Sequence, residues 1–266
     1  MTLFSETSFQ NTHILVTGAT GGIGYVTALA LLKLGANVTA TGRNEEKLSQ
    51  LKQTVHYQSE SSRIHVVPGD IASGDDRNRI VSEACEAFGD IEGLVNAAGI
   101  TGGDLVDKIK EEDLTNIMET NFTAQIMLSQ AVYKIMQKNR RGKIVNVSSL
   151  SGLRGTYGNT AYAGSKFALI GFTQSFALEA VEYGVRVNAV CPGFVDTEMA
   201  GGIIEQKALR AGISYQEMRR KIEDDLPSGR ITSPEEVADT IIYLLSNSGA
   251  NIIGESVKIS GGSVMR

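Results

Sequence analysis

His13-Ile14-Leu15-Val16-Thr17-Gly18-Ala19-Thr20-Gly21-Gly22-Ile23-Gly24 sets an apolar, β-branched run directly against a glycine-rich turn, and a helical pattern follows over residues 23–34. In that order, strand, turn and helix let backbone N–H groups approach a pyrophosphate at a helix N-terminus. A tight strand-to-helix turn with no ligand is the plainer interpretation of the same residues. The glycines fit two spacings, one through Gly18, Gly22 and Gly24 and one through Gly18, Gly21 and Gly24. The turn by itself does not choose between them.

Outward from this turn, short β-branched runs alternate with longer amphipathic ones. Residues 13–17, 37–41, 64–67, 91–95, 143–147, 185–190 and 256–259 read as seven strands, mostly apolar throughout. Such strands are buried on both faces. Helical patterns lie between them near residues 23–34, 45–56, 75–88, 111–138, 160–183 and 234–246. The alternation predicts an α/β fold: a doubly wound sheet of seven mainly parallel strands, flanked by helices in three α/β/α layers. No Pro/Ser-rich linker or charge block divides the 266 residues, and 42% of them are hydrophobic. We therefore expect a single domain over 1–266.

Composition removes several functions. A net charge of −5 with no basic cluster argues against nucleic-acid binding, and Lys138-Asn139-Arg140-Arg141 reads as a solvated loop. Residues 1–12 lack a basic region followed by an apolar core, and no apolar run approaches membrane-spanning length. This predicts a cytoplasmic protein that contacts no membrane. Cys85 and Cys191 do not make a disulfide framework, and both are expected to be buried and inert. His13, His56 and His65 have no metal-ligand spacing, so no metal is expected in the chemistry.

The chemistry gathers around Tyr162-Ala163-Gly164-Ser165-Lys166, thirteen residues after Ser149 and forty-one after Asn121. On a helix, Tyr162 and Lys166 share one face, so a cation can lie near the phenol and favour its ionised form. With the Ser149 hydroxyl and the Asn121 amide, these groups can surround one carbonyl, a site for hydride chemistry. Past the second strand, where a carboxylate would accept the hydroxyls of an adenosine ribose, stands Thr41-Gly42-Arg43-Asn44. Arg43 could fork onto a 2′-phosphate, which favours NADP(H) over NAD(H).

Taken together, Thr17 to Gly24, Asp70-Ile71, Asn96-Ala97-Ala98-Gly99, Asn121, Ser149, Tyr162 with Lys166 and Pro192 to Thr197 resemble the classical short-chain dehydrogenases/reductases, from about residue 11 to the C-terminus. The resemblance implies a Rossmann-type fold and settles the glycine spacing toward these enzymes rather than the extended sugar-nucleotide epimerases. It also implies that Ser149 binds the substrate carbonyl, Tyr162 protonates it, Lys166 lowers the phenol pKa and holds the nicotinamide ribose, and Asn121 binds a water linking Lys166 to solvent. By the same resemblance, Thr17, Gly18, Thr20, Gly21, Gly22, Ile23 and Gly24 hold the cofactor pyrophosphate. Asp70 and Ile71 would bracket the adenine, Asn96, Ala97 and Gly99 would line the ribose, and Pro192, Gly193, Val195 and Thr197 would meet the carboxamide side. Residues 198–226 are expected to form a mobile lid over the substrate.

Within the family, the chain is most similar to β-ketoacyl-[acyl-carrier-protein] reductases and the free-standing ketoreductases of aromatic polyketide synthesis. That implies a β-keto or poly-β-keto thioester presented by acyl carrier protein, and a homotetramer. One departure stands against carrier docking: of two basic positions that meet the acidic carrier, Arg140 matches one, but Tyr183 occupies the other. A CoA thioester, a small free ketone or alcohol, or a non-catalytic NADP(H) sensor are the alternatives.

Overall fold

A computed structural model describes residues 4–57 and 63–265. Residues 1–3 of the N-terminal stretch considered above lie outside it. Strands β1 (His13–Val16), β2 (Asn37–Gly42), β3 (Ile64–Pro68), β4 (Gly93–Asn96), β5 (Gly142–Val147), β6 (Val185–Pro192) and β7 (Ser256–Ile259) form one sheet in the order β3-β2-β1-β4-β5-β6-β7. Every pairing is parallel. The helices are α1 (Gly22–Lys33), α2 (Glu45–Tyr57), α3 (Gly74–Phe88), α4 (Glu111–Met118), α5 (Ala124–Asn139), α6 (Thr160–Ala180), α7 (Glu198–Ala211), α8 (Tyr215–Asp224) and α9 (Pro234–Leu245).

Period-two alternation divides the apolar side chains between two cores. Ile14 and Val16 of β1 pack with Leu31 of α1, Leu48 of α2 and Ile241 of α9. Leu15 points the other way, toward Ile80 of α3, Leu128 of α5 and Phe176 of α6. Each such side chain, fully buried, contributes roughly 1.5–3 kcal/mol. The result is the expected three layers, held by both faces of the central strands.

The strand order reverses between β1 and β4. The chain leaves β1 toward β2 on one side and leaves β4 toward β5 on the other, which opens a crevice at the carboxyl ends of both strands. This topological feature places the functional cleft.

Three expectations change, and the expected lid segment gains detail. The single helix over 111–138 is two helices separated by a π-turn, Glu119–Thr123, which carries Asn121. The helix over 160–183 ends at Ala180 and tightens into a 3-10 turn over Val181–Tyr183, closed by Gly184 at φ 70°. The segment expected as a lid, residues 198–226, contains two helices: Gly212, at φ 66°, ends α7, and a reciprocal Ser214–Glu217 capping box starts α8. Ile204 and Ile222 of these helices pack with Ile231 in a small satellite core. Finally, Cys191 is buried but Cys85 on α3 is partly exposed, because that face of the helix turns toward solvent.

Candidate active site

The glycine turn is fixed by close packing. Gly18 has φ +64°, and a Cβ there would stand 2.7 Å from the Ala97 and Ala98 backbone at the end of β4. A Cβ on Gly22 would collide with Thr197 Cγ2, and one on Gly24 with the Gly18 carbonyl. At Gly21 the nearest atom is 3.4 Å away, an ordinary contact. The spacing through Gly18, Gly22 and Gly24 is therefore the one the fold demands. Helix α1 starts at this turn with no side-chain cap and no acid in its first turn. Its unsatisfied N–H groups and positive dipole end face the crevice.

A cleft of about 280 Å³ runs from Arg43 and Asp70 past the glycine turn to Thr197. Gly18, Thr20, Gly21, Gly22, Ile23, Gly24, Ile71, Ala97 and Gly99 line it as expected. Thr41 lines it too, and its buried hydroxyl has no partner among the described residues. An uncapped helix N-terminus, a bare glycine turn and a waiting hydroxyl are the features a dinucleotide requires, so the residues fit that group. Asp70 also stabilises its own loop, its carboxylate accepting the Ala72 N–H at 3.0 Å.

Seven expected cofactor residues do not line the cleft: Tyr162 and Lys166 stand behind it, and Thr17, Asn96, Pro192, Gly193 and Val195 are engaged in the framework around it. Thr17 is fully buried, and its Oγ1 accepts the Ala97 and Ala98 N–H groups at 3.1 Å, tying β1 to β4. The Asn96 side chain turns into the interior and donates to Ser129 Oγ and Asn146 Oδ1, both at 2.8 Å. Asn146 in turn donates to Thr173 Oγ1 at 2.8 Å, so one buried polar chain joins β4, β5, α5 and α6. Pro192 pairs with Ile259, and the Gly193 N–H donates to the Ile259 carbonyl at 2.9 Å. Val195 bridges to Thr232 through the Phe194 carbonyl and the Asp196 N–H, which turns the Val195 amide to the opposite side. These residues frame the cleft; Thr197 alone of that segment lines it, also capping α7 by accepting the Ala200 N–H.

The four proposed catalytic residues arrive from three elements. Tyr162 and Lys166 stand one turn apart on α6, and Ser149 follows β5. Gly152 brings the two segments together, since a Cβ there would lie 2.7 Å from the Lys166 carbonyl. Ser149 accepts the Ser151 N–H at 3.1 Å, so its role as a turn cap is real, yet its hydroxyl also meets the Tyr162 phenol. The competing hydroxyls are engaged elsewhere: Ser148 donates to the Lys166 carbonyl at 3.1 Å, and Ser151 pairs with Thr156. Asn121 is fully buried; its Oδ1 accepts the Ile100 N–H at 2.8 Å, and its Nδ2 donates to the Ile100 carbonyl at 2.9 Å and to Ser165 Oγ at 3.1 Å.

Burial dominates the charge states at this site. Burial pushes the Tyr162 phenol above its ordinary value, and its hydrogen bond with Ser149 pulls it part of the way back. The Lys166 ammonium, 5.6 Å from the ring centre, donates to the Val147 carbonyl at 2.9 Å. Burial pushes Lys166 itself down to about 8, with Cys191 acting weakly in the opposite direction. Near neutral pH both groups hold their protons, the state in which a phenol can act as an acid.

Sequence reasoning missed several contributors. Gln125 is fully buried and donates to the Ala98 carbonyl at 2.6 Å, steadying the cleft wall from α5. Ser165 donates to the Tyr162 carbonyl at 2.7 Å while receiving Asn121, and its place inside the Tyr162 to Lys166 segment was the available signal. Glu198 lines the cleft from α7 and pairs with Lys47 of α2 at 2.5 Å, a contact between residues 151 positions apart that no local pattern reveals.

A cleft built for a dinucleotide, ending beside a partly buried Ser–Tyr pair and a buried Lys, defines an oxidoreductase that works on the alcohol–carbonyl pair. The chain belongs to the short-chain dehydrogenase family, whose model matches residues 12–208. It is 36% identical over 251 residues to the 3-oxoacyl-[acyl-carrier-protein] reductase FabG of Vibrio cholerae, covering 94% of this chain and 96% of that one. With the enzyme of the same name from Escherichia coli K12 it shares 34% over 259 residues, 97% of this chain and 99% of that one. Among solved structures, a variant of actinorhodin polyketide ketoreductase with NADPH superposes with a TM-score of 0.92 at 31% identity, covering 98% and 99% of the two chains. Levodione reductase superposes with a TM-score of 0.91 at 27% identity, over 96% and 98%.

Proposed function

We propose that this chain is an NADPH-dependent ketoreductase that reduces a β-keto or poly-β-keto acyl thioester to the β-hydroxy product. The observation that carries this reading is the meeting of Ser149, Tyr162 and Lys166 behind the dinucleotide cleft, with the Lys166 ammonium 5.6 Å from the Tyr162 ring centre and next to Gly99 of the cleft wall. Arg43, exposed at the cleft rim, supports the choice of NADP(H).

The dinucleotide, when bound, supplies the hydride. Ser149 donates a hydrogen bond to the substrate carbonyl oxygen, and Tyr162 gives that oxygen its proton as negative charge develops there. Lys166 holds the nicotinamide ribose hydroxyls and keeps positive charge beside the phenol that has lost its proton. The Asn121 amide is engaged on both sides by Ile100 and Ser165, so the water that returns protons through Lys166 meets its main chain in the π-turn rather than its side chain.

We assign the thioester to the substrate because the two sequence relatives named above are 3-oxoacyl-[acyl-carrier-protein] reductases and one of the two structural neighbours is a polyketide ketoreductase. Carrier docking has one cation, not two: the Arg140 guanidinium lies 5.7 Å over the Tyr183 ring, and neighbouring Arg141 is paired with Glu92 at 2.5 Å. That favours a CoA thioester or free ketone as the second reading. We place the enzyme in the cytoplasm as a homotetramer, since Leu178 of α6 is 74% exposed and Phe167 46%, and the β7 edge is only half-buried.

The test is NADPH oxidation, followed by absorbance, with an acetoacetyl thioester and separately with trans-1-decalone, on wild type and Tyr162→Phe. Turnover lost in the variant supports a carbonyl reductase, and preference for the bicycle points to polyketide-like substrates. Turnover confined to small free ketones moves the assignment to a short-chain alcohol dehydrogenase. NADPH binding without turnover of any ketone makes the chain a sensor.

A further inference from the structure

Glu198 is an odd residue to find where phosphates are to be held. It stands on the wall of the dinucleotide cleft, at the first position of α7, directly after Thr197. A carboxylate there would repel an incoming phosphate. Its charge is masked by Lys47 at 2.5 Å, a residue of the first turn of α2 whose backbone N–H is itself fixed by Asn44 Oδ1 at 2.9 Å. Lys47 follows Arg43 by four residues at the start of α2, and its ion pair carries its ammonium to Glu198, which lines the same cleft as Arg43. The pair is exposed, 41% at Lys47 and 85% at Glu198, and exposed ion pairs are readily exchanged. A 2′-phosphate, carrying more charge than a carboxylate, is the stronger acceptor for the same ammonium.

We propose that Lys47 is a second 2′-phosphate cation beside Arg43, held by Glu198 until NADP(H) binds, so that Glu198 competes with the cofactor for it. The inference rests on the NADP(H) preference proposed above and names the residues that set it. It requires the two members of one ion pair to act in opposite directions. Removing the cation weakens NADPH binding, and removing the carboxylate strengthens it. NADH, which lacks the 2′-phosphate, is indifferent to the first change and gains less from the second.

The experiment titrates NADPH and NADH separately, by cofactor fluorescence, into the full-length wild type, Lys47→Met, Glu198→Gln and Arg43→Ala. Lys47→Met should raise the Kd for NADPH about 5–10-fold and that for NADH less than about 2-fold, while Glu198→Gln should lower the NADPH Kd about 2–3-fold. Equal weakening of both cofactors by Lys47→Met, or no weakening, overturns the inference, as does weaker NADPH binding in Glu198→Gln. Arg43→Ala separates the two claims. If it abolishes the NADPH preference while Lys47→Met does not, only the role of Lys47 falls; if the wild type prefers NADH, the cofactor preference and this inference fall together.

Discussion

Replacing Lys166 by Met should make the protein more stable and inactive, and the structure sets the size and pH dependence of the gain. Burial lowers the ammonium from 10.5 to about 8, so holding the charged form in the folded state at neutral pH costs (10.5 − 8) × 1.36, or about 3 kcal/mol. Against this, Met leaves the Val147 carbonyl without its 2.9 Å donor, a loss of about 1–2 kcal/mol. The expected net gain at pH 7 is about 1–2 kcal/mol. For a base with a depressed folded pKa, the unfolded chain binds more protons between pH 8 and 10.5, so wild-type stability rises with pH across that window. The advantage of Lys166→Met should therefore be fully present below about pH 8, vanish within the window above it and turn into a deficit of about 1–2 kcal/mol by about pH 10.5, where only the lost hydrogen bond to Val147 remains. Urea unfolding of both proteins, at equal subunit concentration and at several pH values, measures the difference. A variant less stable than wild type at pH 7, or a difference that does not change with pH, would refute this account of Lys166.

The glycine turn predicts a contrast: Gly24→Ala should cost about 2 kcal/mol or more and impair cofactor binding, whereas Gly21→Ala should stay within about 0.5 kcal/mol, both read by urea midpoint. Asn146→Ala breaks the buried chain from Asn96 to Thr173 and should destabilise by about 2–4 kcal/mol in the same assay, far more than a surface Asn. Arg219→Met removes the two hydrogen bonds, 3.0 and 2.7 Å, that hold α8 to Asp196. It should raise the KM for ketone and speed amide exchange over 215–224, while changing global stability by less than about 1 kcal/mol.

The sheet was legible because its signal is periodic: seven apolar runs appear in the structure within a residue or two of their expected bounds. The two helices of the 198–226 segment were not, because α7 and α8 carry many charges and bury only one narrow stripe each, although Ser214 followed by Glu217 is a readable helix start. At the site, residues whose roles depend on type and spacing, such as Tyr162 and Lys166, landed together. The inward bonds of Thr17 and Asn96 were not legible, since a polar side chain at a strand end can face the cleft or the neighbouring strand, and only tertiary packing decides which. The ion pair of Lys47 with Glu198 joins two helices far apart in the chain and has no sequence signature.

The π-turn at Glu119–Thr123 also sets a rotational phase. An extra residue in one turn offsets everything beyond it by about 100° relative to an uninterrupted helix. Helix α4 packs against α6, and α5 faces the sheet with Leu128, Val132 and Met136 inward. Deleting one residue between 119 and 123 would restore a plain helix only by turning α4 away from α6 or by rotating those three side chains out of the core. Length in this segment is therefore held as tightly as residue identity, and a single deletion there should damage folding and proton supply in one step.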